Sequence, residues 1–204
     1  DPLKDEWRAR QASLRRLTRY LSRIPRPLRV LELGCGNGWL SRHLAAIPDA
    51  RVCGLDQNPV ELAQAARLFT RQGLRFLKAD IFIAPFPDGS FDAIVMASVI
   101  QYFPDLPALF DVVRRMLRAH GELHIMDSPL YQASDVEEAR QRTRAYYAGL
   151  GVPQMADHYH HHLLNDVQPF SPRWHYRPAG NATRLTRILG RVDSPFPWFS
   201  ICWD

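Results

Sequence analysis

Hydrophobic positions along this chain follow two different periods. Around residues 28–33, 51–56, 74–81 and 121–127 they gather into short apolar runs of the kind that bury a strand. Elsewhere they recur at helical steps. Trp7, Leu14, Leu17, Leu21 and Ile24 lie three, four or seven apart, which predicts an amphipathic N-terminal helix within residues 1–27, ended by Pro25 and Pro27. Trp39, Leu40 and Leu44 predict a helix directly after the first strand, and Leu109, Val112, Val113, Met116 and Leu117 predict one over 106–119. Ser134 with Glu137 three residues on, and glycines at 149 and 151, bound a further helix over 134–150. Residues 152–178 are rich in His, Pro and aromatics without a sustained period and read as a long loop or lid. Residues 183–189 predict a short helix ended by Gly190, and 197–203 a terminal strand. No internal repeat is visible, and strands alternating with helices predict an α/β domain.

The first strand runs into Glu32-Leu33-Gly34-Cys35-Gly36-Asn37-Gly38-Trp39, with glycines at every second position. Strand, glycine turn and helix make a ligand-cradling unit, because glycine lets the backbone approach a bound molecule and a helix N-terminus offers unpaired N–H groups. A dinucleotide fingerprint, G-x-G-x-x-G, would need glycine where Trp39 stands. The second strand ends on Asp56, about twenty residues past the glycines, where an acid accepts hydrogen bonds from ribose hydroxyls. The third ends near Asp80.

The pattern E-x-G-x-G-x-G resembles the first motif of the class I S-adenosylmethionine-dependent methyltransferases, small-molecule branch, and the resemblance extends from residue 28 to about 130. It implies a Rossmann-like, doubly wound, mostly parallel seven-stranded sheet with helices on both faces and the last strand antiparallel. One domain would span 1–204: the N-terminal helix, a cofactor core over 28–130, and a substrate side over 131–204. The implied cofactor is S-adenosyl-L-methionine and the product S-adenosyl-L-homocysteine. Glu32, Gly34, Cys35, Gly36, Asn37 and Gly38 would then wrap the cofactor's amino-acid portion, with Asp56 and Gln57 at the ribose and Asp80 with Ile81 at the adenine. Met96, Ala97 and Ser98 would line the methionine end. Glu32 could equally orient the loop through backbone hydrogen bonds, and Asn37 and Trp39 could simply pack the turn. Residues 91–105 resemble the fourth strand and its loop. Gln101 and Tyr102 stand there where this branch often has histidines, and with Tyr131 they are candidate acceptor contacts.

Methyl transfer from a sulfonium asks the protein mainly to position reactants and exclude water, and a weakly nucleophilic acceptor also needs a base. His160, His162 and His158 are candidates, followed by Asp127 and Tyr131. Asp127 also reads as a cap beside Ser128-Pro129, and the histidines as polar loop packing. Extended backbone puts His158, His160 and His162 on one face. No metal is expected. The resemblance also narrows the acceptor. Ala97-Ser98-Val99-Ile100 replaces the Asn/Asp-Pro-Pro-aromatic run of base-amine methylation, no cysteine nucleophile for pyrimidine carbon lies there, and Ala97 and Ser98 cannot ligate the catechol branch's magnesium.

Composition changes this picture in two places. Of the net charge of +5, residues 1–29 carry nine Lys or Arg against three acids, so the basic character belongs to the N-terminal helix. A solvated face is one reading of its arginines; an RNA-binding or anion-binding surface is the other. Three cysteines, Cys35, Cys53 and Cys202, lack disulfide or zinc spacing, and Cys35 reads as a small loop residue. With no apolar run of membrane-span length and no secretory signal, a cytoplasmic location is expected. The expected function is methyl transfer to a small-molecule acceptor. The alternatives are an RNA or protein methyltransferase using the arginine-rich helix, or a non-catalytic module that binds cofactor or a partner.

Overall fold

The computed structural model describes residues 2–178 and 193–203. Five strands, β1 (Leu28–Leu33), β2 (Ala50–Asp56), β3 (Leu74–Lys78), β4 (Phe91–Ala97) and β5 (Leu117–Met126), run parallel. Two more follow, β6 (Arg173–Tyr176) and β7 (Trp198–Cys202), giving the order β3-β2-β1-β4-β5-β7-β6, with β7 antiparallel to both neighbours. The order reverses between β1 and β4. In an open parallel sheet such a reversal leaves a crevice beyond the carboxyl ends of those two strands.

Successive strand residues point to opposite faces, and the helices divide accordingly. On one face α1 (Pro2–Leu21) and α2 (Trp39–Leu44) bring Leu17, Leu21, Leu40 and Leu44 against Val30, Val52 and Val95. On the other, α4 (Leu106–Met116) packs Leu109, Phe110 and Val113 on Leu31, Ile94, Leu123 and Phe199. Asp105 caps α4 through the Ala108 N–H at 2.9 Å. Between β2 and β3 runs α3 (Pro59–Leu68), which no apolar spacing predicts: it buries only Leu62 and Ala65, and its start is set by the Asn58 cap and Pro59.

Several predicted elements need correction. The strand expected at 121–127 begins at Leu117, so α4 stops at Met116 rather than near 119, and the β4–β5 register shifts between Phe91 and Ala93. The helix α5 (Val136–Gly149) starts without the expected capping box: Ser134 donates to the Asp135 carboxylate instead. The supposed lid over 152–178 is structured, with 3-10 turns at Pro153–His158 and Gln168–Phe170, a short α6 (Leu164–Val167) and the strand β6. The helix expected at 183–189 lies outside the described residues. No described helix is long and apolar enough to cross a membrane.

Candidate active site

A cavity of about 250 Å3 opens at the β1/β4 crevice. Glu32 lines it from β1 and Gly34, Cys35, Gly36 and Asn37 from the loop that follows, Ala97 and Ser98 from the end of β4 and just beyond it, and Met126 and Asp127 from the end of β5 and just beyond it. The glycines serve partly different ends from those expected. All three have positive φ, 74°, 49° and 77°, which an L side chain resists. A side chain on Gly38 would meet Phe76 at 2.6 Å, so this glycine lets α2 sit close on β3; one on Gly34 would collide with Val99. At Gly36 the neighbour is the Glu61 carboxylate of α3, which also lines the cavity.

The loop's N–H groups point back to β2 rather than out to a ligand. Those of Gly34 and Cys35 reach the Leu55 carbonyl at 2.8 and 3.1 Å, and that of Gly36 reaches Asp56 Oδ2 at 2.7 Å. The Trp39 N–H is taken by Asn37 Oδ1 at 3.2 Å. Of the helix N–H groups expected to face a ligand, that of Trp39 is therefore taken by local pairing. Asp56 is held a second time, at Oδ1, by the Asn58 N–H at 2.8 Å. A carboxylate oxygen accepts more than one bond, so two backbone donors fix its orientation and leave acceptor capacity for a vicinal diol. Asp80 takes the Phe82 N–H on Oδ1 at 3.0 Å, beside the buried Ile81. Gln57 is exposed next to Asp56.

Glu32 lies on the cavity floor, 3% exposed, and accepts from the Ser41 hydroxyl of α2. Burial pushes its carboxyl up to about 8, against the lowering by that hydrogen bond. Cys35 is buried, and burial also drives its thiol upward, which disfavours the thiolate. Met96 corrects the sequence expectation: its side chain is fully buried in the α4-side core, while Ala97 and Ser98 line the cavity. Ser98, at φ 57°, is fixed by donating from N–H to the Met126 carbonyl and from Oγ to the Asp127 carbonyl.

Among the proposed bases, only Asp127 lines this cavity. Its Oδ1 accepts from Ser13 of α1 and from Ser194, each at 2.7 Å, and burial raises its pKa despite those two bonds. The histidines lie elsewhere. His162 is buried with Nε2 3.2 Å from the Ile100 carbonyl, and burial lowers its pKa; its place is structural. His160 stacks 6.4 Å from it and donates its backbone N–H to the Gln101 carbonyl at 2.7 Å, while His158 is exposed. No group of three metal-ligating residues occurs among the described residues. Gln101 is buried, its Nε2 bound to the Ser98 carbonyl at 2.8 Å and its Oε1 without a partner. Tyr102 is half-exposed, and the Tyr131 N–H donates to the His162 carbonyl at 3.0 Å.

Two charged cavity residues have no counterpart among the predicted ligands, Arg10 and Glu61. Arg10 belongs to α1, which crosses the loop with Trp7 packed edge-on against Trp39 at 5.5 Å. Helical spacing marks a residue's face but not what that face meets: Arg10 is exposed and paired with Glu6, as a solvated face implies, and it also lines the cavity.

The Methyltransferase domain family matches residues 31–125. The chain is 28% identical over 198 residues to a sterol 24-C-methyltransferase of Aspergillus fumigatus, covering 87% of this chain and 50% of that protein. It is 36% identical over 126 residues to a demethylmenaquinone methyltransferase of Thermus thermophilus, covering 60% and 54%. The chain thus spans about half the length of these curated relatives. The YcgJ protein of Bacillus subtilis superposes with a TM-score of 0.67 over 94% of this chain and 96% of that one, at 18% identity, a likeness of fold. The sheet order, the family match and these relatives identify residues 31–125 as a methyltransferase domain similar to those of the class I S-adenosylmethionine-dependent methyltransferases, with S-adenosylmethionine as its cofactor.

Proposed function

We propose that this chain transfers a methyl group from S-adenosylmethionine to an apolar small-molecule acceptor. The observation that carries the reading is a second cavity, about 500 Å3, at the same end of the sheet as the first. Asp127 lines the first cavity, and Pro129, Leu130 and Tyr131, the next residues along the chain, line the second with Trp174 and Phe196. Rings and prolines favour an acceptor with a flat or branched hydrocarbon body. The named relatives, which act on a sterol and on demethylmenaquinone, agree with that chemistry.

The bound cofactor supplies a methyl group already activated by its sulfonium charge. This chain's residues would do the rest. Asp56, held by two backbone N–H groups, receives the ribose hydroxyls, and Asp80 receives the adenine amino group. Arg10, the one cation lining the first cavity among the described residues, faces the cofactor's carboxylate, and Glu61 its ammonium. Ala97 and Ser98 define the wall beside the sulfur. An acceptor hydroxyl would give its proton to Asp127, whose two hydroxyl donors both sit on Oδ1 and whose raised pKa makes it a better base than an ordinary aspartate.

The arginine-rich helix supports an RNA acceptor less well. Arg8, Arg10 and Arg16 are paired with Asp5, Glu6 and Asp193. The deciding experiment follows labelled methyl from the cofactor into a panel of quinols, phenols, sterols, bulk RNA and protein. Label in an apolar small molecule, reduced at least tenfold in Asp127→Asn with cofactor affinity unchanged, supports the reading. Label only in RNA or protein overturns it.

A further inference from the structure

We propose that the opposite end of the sheet carries a separate binding site for a soluble phosphate-bearing anion. A cavity of about 660 Å3 lies where β2 and β3 begin, lined by Arg26, Arg51 and Arg71 with Asp49 as the single acid, and by Pro27 and Ile47 among its apolar walls. The glycine loop follows β1, whereas Arg26 precedes it and Arg51 opens β2, so roughly 20 Å of strand separates this cavity from the cofactor crevice.

A shared cavity, rather than the lack of an ion pair that other described arginines also show, sets these three arginines apart. Arg8, Arg10, Arg16, Arg118, Arg140 and Arg142 each have a carboxylate partner. Among the described residues Arg26, Arg51 and Arg71 have none, although they share one cavity with Asp49. Arg26 donates through Nη2 to the Ser22 carbonyl at 3.3 Å, while its Nη1 is shut from solvent with no acceptor. A guanidinium in that position is under-satisfied, and a small reorientation towards an anion would complete it.

Three cations against one acid leave a charge of +2, which a pyrophosphate-like or phosphomonoester dianion neutralises. The residues sit on separate segments: the connection before β1, the second residue of β2, and the α3–β3 connection. Such a frame fixes guanidinium positions better than neighbours on one flexible loop would. A lipid headgroup carries the same phosphate chemistry. However, docking a membrane here would turn the apolar acceptor cavity away from it, so a soluble ligand fits better.

The test is calorimetric titration of the full chain with pyrophosphate at low salt, beside an Arg51→Ala/Arg71→Ala double variant. Both side chains are exposed, so the variant should fold, and unchanged affinity for S-adenosylhomocysteine would establish that it does. Cosedimentation with phosphatidic acid vesicles forms the second arm. We expect sub-millimolar pyrophosphate binding, at least tenfold weaker in the variant, and no vesicle binding. Absence of pyrophosphate binding at millimolar concentration, equal binding by the variant, or binding to vesicles alone would each overturn the proposal.

Discussion

Glu32 sits fully inside the protein at the foot of the glycine loop, and its proton is tied to stability. Its folded pKa of about 8 lies above the ordinary 4.5, so its contribution is complete below pH 4.5 and is lost as pH rises through 8. Between those limits unfolding free energy should fall by about 1.4 kcal/mol per pH unit through this group alone. Urea titrations of the protein and of Glu32→Gln, at pH 5 and pH 8, should show the loss in the former and not in the latter; parallel pH profiles would contradict it. A second prediction concerns Arg10. Its replacement by alanine should weaken S-adenosylhomocysteine about tenfold and leave methylthioadenosine, which lacks the amino-acid portion, unaffected. Equal weakening of both would place Arg10 away from the carboxylate. The glycines, Asp56 and Asp80 were readable because their spacing is fixed by strand and turn geometry. The places of Arg10 and Glu61 in the cavity were not, because they arise from how α1 and α3 fall across a loop distant in sequence from α1.

At the level of elements, α1 holds the site as well as covering it. Ser13 donates to Asp127, Arg16 pairs with Asp193, Tyr20 donates to Glu122 at 2.9 Å, and Leu17 and Leu21 are fully buried. Leu17→Ala should cost about 2–5 kcal/mol, measured by denaturant unfolding. Asp127→Ala, which strips the acceptor from two hydroxyls, should cost about 1–3 kcal/mol. Because the serines come from α1 and from the segment before β7, the second loss would loosen both from β5. Four of the parallel strands and α1 were legible from period, since each buries an apolar set against the sheet, whereas β4 was legible from the resemblance of residues 91–105. β6 was not: Arg173-Trp174-His175-Tyr176 alternates too briefly, and its partners come from β7, with His175 bonded to Ser200 at 2.9 Å. The boundary between α4 and β5 was hidden for a similar reason, because Met116 and Leu117 are both apolar and both buried.

For the whole molecule, the reversal of strand order between β1 and β4 puts the cofactor crevice and the apolar cavity at one end of the sheet and the arginine cavity at the other. A ligand that binds only the folded chain stabilises it by about 2.7 kcal/mol at a hundredfold excess over its Kd. For a chain of this size, S-adenosylhomocysteine at that excess should therefore raise the melting temperature by roughly 5–10 °C. An unchanged melting curve would argue against a formed site. Most direct is a calorimetric titration with S-adenosylhomocysteine of the protein and of Asp56→Ala. Micromolar binding to the former, at least tenfold weaker in the latter and without binding of NAD to either, is the expected result. No binding of S-adenosylhomocysteine, or equal binding by both proteins, would contradict the assignment of the glycine loop and Asp56 to the cofactor.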